Sequence, residues 1–207
     1  MKTYIKSHKT LNLLLDSQSS PLVVVEMEKE SHLFLTKINF AKKKEKNRIE
    51  VLLNGENSTC EIKVIDLVGE DHLLETEIFV FHNEPNCKSN QIHKGLYKDS
   101  AHGIVKSMIF IDQKAGKSNA MQLSQNILLS SFAKVSAKPI LKIKSMDVEC
   151  KHGVSIGFIE QHLFYYLKTR GMSDQEAKYL IIHGFISDIL LTYFPSYEKA
   201  LNLWINR

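Results

Sequence analysis

Short apolar segments recur along the first three quarters of the chain, separated by polar or turn-forming pieces. Their spacing of about ten residues is typical of successive β-strands. The segments mix β-branched and aromatic residues, with partial alternation of apolar and polar positions. They read PLVVVEME, HLFLTKINF, NRIEVLLN, CEIKVIDLV and LLETEIFVFH, and three longer ones follow, HKGLYKDSAHGIVKSMIFID, NILLSSFAKVS and KPILKIKSMDVEC. Pro139 opens the last of these strands, a position where proline is tolerated. The pattern predicts a mainly β structure.

The spacing alone fits three architectures, namely a β-sandwich, a β-barrel and a β-solenoid. Strict alternation is rare and no fixed repeat length stands out. Periodicity therefore leaves all three open.

The pattern changes after Gly157, where helical spacing begins. Apolar residues at four-residue steps predict one helix that stops at Gly171. Ser173 and Glu176 form a capping box that predicts a second helix, apolar on more than one side. Gly184 in the middle of this helix indicates either a tolerated loss of helix stability or a close helix crossing. A last short helix is expected after Pro195, so residues 1–157 form a β domain and 158–207 a helical one.

Composition narrows the function classes. The 207 residues are 43% hydrophobic with a net charge of +4, which is too weakly basic to argue for nucleic acid. The lysine-rich stretch 42–46 is interpreted as a solvated turn. Charged and polar residues interrupt the longest apolar stretch, so no membrane span is expected, and the apolar run near the N-terminus is too short for a secretory signal. Three widely spaced cysteines favour reduced thiols in a cytoplasmic protein.

One stretch imitates a phosphate-binding loop. Ala115 to Ser118 read AGKS, but the complete motif needs a glycine where Ile111 stands, and no strand–loop–helix context surrounds it. Nucleotide binding at this stretch is not expected.

Cys150 and His152 are the candidate metal ligands. On a strand, residues two apart share one face, with α-carbons about 7 Å apart. Two ligands of one metal ion need donor atoms nearer to one another, about 4 Å. The pair therefore fits a site that other residues or another chain complete, while Gly153 indicates a bulge or a close backbone approach.

Several ordered segments resemble the SufB/SufD family, subunits of the SUF iron–sulfur cluster assembly machinery. The resemblance covers about 77–189. Its motifs read QIHKGLYKDSAHGIV, KAGKSNAMQLSQNILLSS, AKPILKIKSMDVECKHG and LFYYLKTRGMSDQEAKYLIIHGF. The Cys-x-His-Gly pattern at Cys150, His152 and Gly153 resembles the D-type branch, whereas the B-type branch carries Glu-His-Glu there.

The resemblance implies a right-handed parallel β-helix followed by a small helical domain. It also implies pairing with SufB along the β-helices and docking of the SufC ATPase on the C-terminal helices. A nascent cluster would form at the interface with SufB, where His152 occupies the position of a residue implicated in assembly. The chain itself would be no enzyme and would bind no permanent cofactor, only a transient Fe–S cluster or iron.

Departures from the family pattern keep alternatives open. The long N-terminal region of the family has no counterpart, which predicts a shorter β-helix, and GIVKSMIFI lacks the family's aromatic-x-Gly step. One alternative is a homodimeric scaffold for metal or clusters without a B-type partner. A second is a solenoid enzyme acting on polysaccharide, which would need a carboxylate cluster on one face.

Overall fold

The protein, seen in a computed structural model, is described for residues 1–190 and 194–206. Twelve β-strands precede three α-helices within these residues. The strands are β1 Lys2–Ile5, β2 Thr10–Leu15, β3 Leu22–Met27, β4 His32–Phe40, β5 Lys44–Leu53, β6 Thr59–Val68, β7 Leu73–His82, β8 Lys88–Tyr97, β9 His102–Ile111, β10 Ser118–Leu128, β11 Lys134–Ile143 and β12 Val148–Phe158. The helices are α1 Gln161–Thr169, α2 Asp174–Leu190 and α3 Phe194–Asn206.

The strands wind into a parallel β-solenoid. Odd-numbered strands form one sheet in the order β1-β3-β5-β7-β9-β11, and even-numbered strands form the other in the order β12-β10-β8-β6-β4-β2. Each coil thus adds one parallel strand to each sheet. The solenoid is confirmed among the three architectures, although β1 and β2 were absent from the strands that the sequence predicted.

The coils lengthen along the chain. In the first coil Lys2 pairs with Val24, whereas His102 pairs with Lys134 in a later one, so the later coil takes more residues to return to its starting position. This drift explains why no fixed repeat is visible in the sequence.

One corner of the solenoid is built from residues with left-handed backbone, stacked from coil to coil. The amide N–H of Asn86 donates to Gly116 O at 2.9 Å, and that of Lys117 donates to Asp147 O at 2.6 Å. Both Asn86 and Lys117 have a φ near 60°. Residues with the same conformation occupy this corner in the earlier coils: His8, Glu30 and Asn57. The AGKS stretch is therefore a turn between two strands.

The interior changes character along the solenoid axis. In the first coils it is apolar, formed by residues such as Val23, Val51, Ile62 and Val80. In the later coils many inward positions are polar and buried: Thr76, Ser89, Gln91, His93, Ser107, Gln122, Ser124 and Asn126. Buried polar groups need hydrogen-bond partners, so the later coils fix the orientation of these side chains as well as burying them.

The helices cover the outer face of the even-numbered sheet. Residues of α2 and α3 pack on strand residues of β4, β6 and β8 in one apolar cluster: Ile38, Ile65, Leu67, Leu96, Ile182, Ile186, Ile189, Leu190, Leu201 and Ile205. Lys94 Nζ donates to Phe185 O at 2.6 Å, and Lys98 Nζ donates to Trp204 O at 2.8 Å. The helical region is thus docked onto the solenoid by both apolar and charged contacts.

Local helix signals are confirmed in the structure. Gly171 follows α1 with a φ of 87°, a left-handed stop that favours glycine. The capping box is present, since Ser173 N donates to Glu176 Oε2 at 2.8 Å and Glu176 N donates to Ser173 Oγ at 3.3 Å. The prediction of a close helix crossing at Gly184 is wrong, because a Cβ there would meet no atom of the described residues within 4 Å.

The second side of α2 is less covered than expected. Leu180 is exposed, and together with Ile181 and Phe185 it lines a groove of about 550 Å³ toward α1 and β12. No helix in the described ranges is long and apolar enough to cross a membrane.

Candidate functional site

Cys150 and His152 lie on β12, the last strand of its sheet. The register places Cys150 opposite Ala120 and His152 opposite Gln122 on β10. Ala120 and Gln122 are each 1% exposed, so this face of the strand is the inner face of the solenoid. The prediction that the two side chains share a face is confirmed, and the register adds that they face the interior.

The two side chains differ in their surroundings. Cys150 is half-buried and packs on the apolar cluster around Ile109, Ile111 and Ala120. Burial raises the pKa of the Cys150 thiol above its ordinary value, which disfavours the thiolate that binds metals. His152 is exposed, because β12 is the terminal strand of its sheet and the described residues place no further coil over it. Of the two, His152 is the more available ligand.

Gly153 marks a close side-chain contact, and neither a bulge nor a close backbone approach is found there among the described residues. The pairing of β12 with β10 runs without interruption from Val148 to Phe158. A Cβ at Gly153 would lie 3.1 Å from Leu123 Cδ1, tighter than an ordinary contact. Glycine at this position lets Leu123 pack against the strand.

An uncovered solenoid end surrounds the pair; we call it the open end, formed by β11 and β12. Each of these strands pairs on one side only within the described chain. Several large apolar side chains at this end are exposed: Ile143, Met146, Val154, Ile156 and Phe158. Unpaired strand edges with exposed apolar residues are templates for pairing with another chain.

Two donors do not complete a metal site. Iron and zinc sites use four protein ligands when the protein closes them. Among the described residues, no three histidine, cysteine, aspartate or glutamate side chains are grouped closely enough to hold a metal ion. What the open end presents is one imidazole and one thiol, both ligand types that iron and its clusters accept.

Comparison with known proteins assigns the chain to a family. Residues 16–185 match the family model "SUF system FeS cluster assembly, SufBD core domain". The chain belongs to the SufBD family. The match starts well before residue 77, where the recognisable motifs begin, and continues from the solenoid into α2.

Among its relatives, this SufBD-family chain is similar to the iron–sulfur cluster assembly protein SufD of Escherichia coli. The two are 33% identical over 137 residues, 66% of this chain and 32% of that protein. It is also 28% identical over 175 residues to the SufBD family protein slr0076 of Synechocystis, 84% of this chain and 39% of the relative. The chain is SufD-like and spans about a third of the length of these curated relatives.

The AGKS turn of this SufBD-family chain has the wrong setting for a phosphate loop. The strand β10 begins at Ser118, the last residue of this stretch, where a phosphate loop would need a helix N-terminus. The amide of Lys117 is already engaged by Asp147 O. The turn therefore has a structural role at the corner of the solenoid.

A buried Ser–His–Asp arrangement escaped sequence reasoning. His93 Nε2 lies 2.9 Å from Asp66 Oδ2, and His93 Nδ1 lies 3.2 Å from Ser124 Oγ. Asp66 also accepts hydrogen bonds from Thr76 and Asn39. Burial opposes ionisation of Asp66, but His93 and these hydrogen bonds outweigh it and hold the pKa of the carboxyl below its ordinary value.

All three residues of this arrangement are 1% exposed. A nucleophile must reach its substrate, so the group serves the interior as a polar network. Strand register brings the three together from β6, β8 and β10, which belong to three successive coils, and no local signal in the sequence could have shown it.

Proposed function

We propose that this chain is a SufD-type scaffold subunit of the SUF system, on which a nascent iron–sulfur cluster forms at an interface with SufB. The observation that carries the proposal is the open end, where His152 faces the interior on a strand that lacks a partner on one side within the described chain. Family membership supplies the class of reaction, and the open end supplies a place where a second chain can contribute the missing ligands.

Pairing through strand edges is favoured by the shape of this end. Parallel strands β11 and β12 each present a row of unpaired backbone groups, which a partner can continue as β-augmentation. The exposed Val154 and Ile156 lie on the inner face of β12, opposite Ser124 and Asn126. A partner solenoid that abuts here would bury them together with His152, and burial strengthens ligand binding by excluding water.

The helical region is the proposed contact for SufC. Several apolar side chains of α1 and α2 are exposed: Leu163, Tyr165, Tyr166 and Leu180. Of these, Leu163 and Leu180 line the groove. Their exposure exceeds what docking on the solenoid requires, because α1 has no buried residue. Exposed apolar patches of this kind mark protein–protein contacts.

In this proposal the chain contributes ligands and shape but no turnover of its own. ATP hydrolysis belongs to SufC, sulfur arrives as persulfide from a separate desulfurase, and the cluster is cargo rather than a resident cofactor. The proposed place of action is cytoplasmic, with the bacterial cytosol as the first candidate and an organelle stroma as the second.

The acidic side chains on the outer face of the odd-numbered sheet do not favour a polysaccharide-cleaving role. Glu75 and Glu77 are paired with Lys46 and Lys106. The hydrogen bond from Lys106, helped by one from Lys46, lowers the pKa of Glu75 to about 2. A glycosidase needs one carboxyl group that keeps its proton near neutral pH, and Glu75 does not.

The test is His152→Ala in the complex with SufB and SufC. Because His152 is exposed and no hydrogen bond of the described chain depends on it, the variant should fold and assemble like wild type while the iron and sulfide content falls severalfold. His32→Ala on β4 is the matched control, since His32 is also exposed, hydrogen-bonds Thr59 Oγ1 and lies four strands from β12 in the same sheet. Unchanged iron and sulfide in His152→Ala, with the complex intact, would refute the site.

A homodimer is the second candidate, since an edge can also pair with a copy of itself about a two-fold axis. The mass of the chain in solution, with and without SufB, separates the two. A stable dimer that SufB does not displace would favour the homodimeric scaffold.

A further inference from the structure

Gln122 is the neighbour of His152 on the inner face of the solenoid. The two residues are directly paired across β10 and β12, and neighbouring strands lie about 4.8 Å apart. Gln122 is 1% exposed, whereas His152 is exposed. A buried amide thus stands beside the candidate ligand.

The orientation of the Gln122 amide is fixed from the opposite sheet. Its Nε2 donates to Ser107 Oγ at 2.8 Å and to Ser107 O at 3.2 Å. An amide nitrogen has two hydrogens, so Ser107 uses both. The reversed orientation would set two acceptors against each other at Ser107 O, and the acceptor Oε1 must therefore point away from Ser107.

Oε1 of Gln122 has no hydrogen-bond partner among the described residues, although it is buried. Such orphaned acceptors are rare in folded proteins. The next residue of the same column, Gln91, directs its own Nε2 to Met108 O at 3.3 Å. On the other side stands the imidazole of His152, for which the described chain shows no hydrogen bond.

We propose that Gln122 is the positioning residue for His152, accepting a hydrogen bond from one imidazole N–H when a partner chain covers the open end. A neutral imidazole carries one N–H and one lone pair. Holding the N–H on Gln122 fixes the tautomer and the ring plane, and leaves the other nitrogen to bind iron. This inference rests on the proposed function, in which His152 is a ligand of the nascent cluster.

The inference predicts an effect on the ligand through a residue that does not touch the cluster. Loss of such an outer hydrogen bond typically costs 10- to 100-fold in metal affinity. We expect Gln122→Met to weaken the binding of iron(II) alone to the SufB complex by about that factor. Gln91→Met is the matched control, because Gln91 has the same kind of orphaned Oε1 but lies one coil further from His152.

The deciding readout needs no iron. In the complex, with only this chain labelled by ¹⁵N-histidine, His152 at pH 8 should show one tautomer and a slowly exchanging imidazole N–H. The signal is assigned by its absence in His152→Ala. Gln122→Met should lose the slow exchange and show mixed tautomers, whereas Gln91→Met should behave like wild type.

Gln122→Glu separates positioning from packing. It keeps an acceptor for His152 but gives up the donors to Ser107, so the slow exchange should persist even if the melting temperature falls. An unchanged His152 signal in Gln122→Met, or equal losses in Gln122→Met and Gln91→Met, would overturn the inference. If His152→Ala keeps its iron and sulfide, the proposed function fails, while the N–H readout still decides the bond to Gln122.

Discussion

A single methyl group at Gly103 should destabilise the solenoid through Tyr97. Tyr97 is fully buried inside the coil, and its ring lies against two glycines of the same motif, Gly95 and Gly103. A Cβ at Gly103 would lie 2.5 Å from Tyr97 Cζ and 2.7 Å from its hydroxyl oxygen, and closer still to Cε1. The ring cannot yield on the other side, because a Cβ position at Gly95 is only 2.5 Å from Cε2.

The magnitude follows from two opposing terms. Overpacking of a core by a methyl group costs about 1–3 kcal/mol. Replacing glycine by alanine also stabilises by about 0.4–1 kcal/mol, because the unfolded chain loses conformational freedom. Gly103 does not have left-handed backbone, so no strain of that kind is added. Because the contacts with Tyr97 are very short, the steric cost should fall in the upper half of its range, about 2–3 kcal/mol. After subtraction of the opposing gain, we expect Gly103→Ala to lower the free energy of unfolding by about 2 kcal/mol.

Urea denaturation of four proteins tests this: wild type, Gly103→Ala, Tyr97→Leu and the double variant. Leucine lacks the ring atoms that would collide with the new Cβ, so Gly103→Ala should cost almost nothing when Tyr97 is leucine. Gly157→Ala is the control strand glycine, because a Cβ there would meet nothing within 4 Å. Equal costs of Gly103→Ala in the tyrosine and leucine backgrounds would refute the steric reasoning.

Three further predictions concern other contacts. Asp66→Asn should lower the free energy of unfolding by about 3 kcal/mol or more at pH 7, since it breaks a buried pair with His93. Because the folded pKa of Asp66 is depressed, this difference from wild type should shrink as the pH of the urea titration falls below the ordinary value of 3.8. Lys94→Met should leave the solenoid folded but speed amide hydrogen exchange in α2 about tenfold, because the charged hydrogen bond to Phe185 O is worth about 1.5 kcal/mol. An unchanged exchange rate in α2 would contradict this prediction. Cys150→Ser should lower the iron and sulfide content of the SUF complex less than His152→Ala does, and an equal loss would show that the half-buried thiol is a ligand.

The helical region was predictable because its signals are local. The capping box at Ser173 and the stop at Gly171 act within one turn, so the residues that form them are adjacent in the sequence. The strands were partly predictable, but the first coil was not. In β2 the apolar residues Leu13, Leu14 and Leu15 follow one another, which hides the alternation that the inner and outer faces impose.

The candidate site was half predictable for a similar reason. Alternation within one strand shows that Cys150 and His152 share a face, and that inference needs no partner strand. Which face it is, and that Gln122 stands beside His152, depends on register with β10, a strand of the preceding coil. The Asp66–His93 pair likewise joins strands of two different coils. The number of residues in a coil varies along the chain, so sequence spacing alone could not have fixed these pairings.

The lengthening of the coils gives the solenoid a direction. Because the first coil takes fewer residues than the later ones, the two ends of the described solenoid have different circumferences, and a wide coil stacked on a narrow one would leave backbone groups unmatched. Among the described residues the open end is the wide one, so a partner chain that pairs there would need strands of ten and eleven residues to satisfy every unpaired backbone group of β11 and β12.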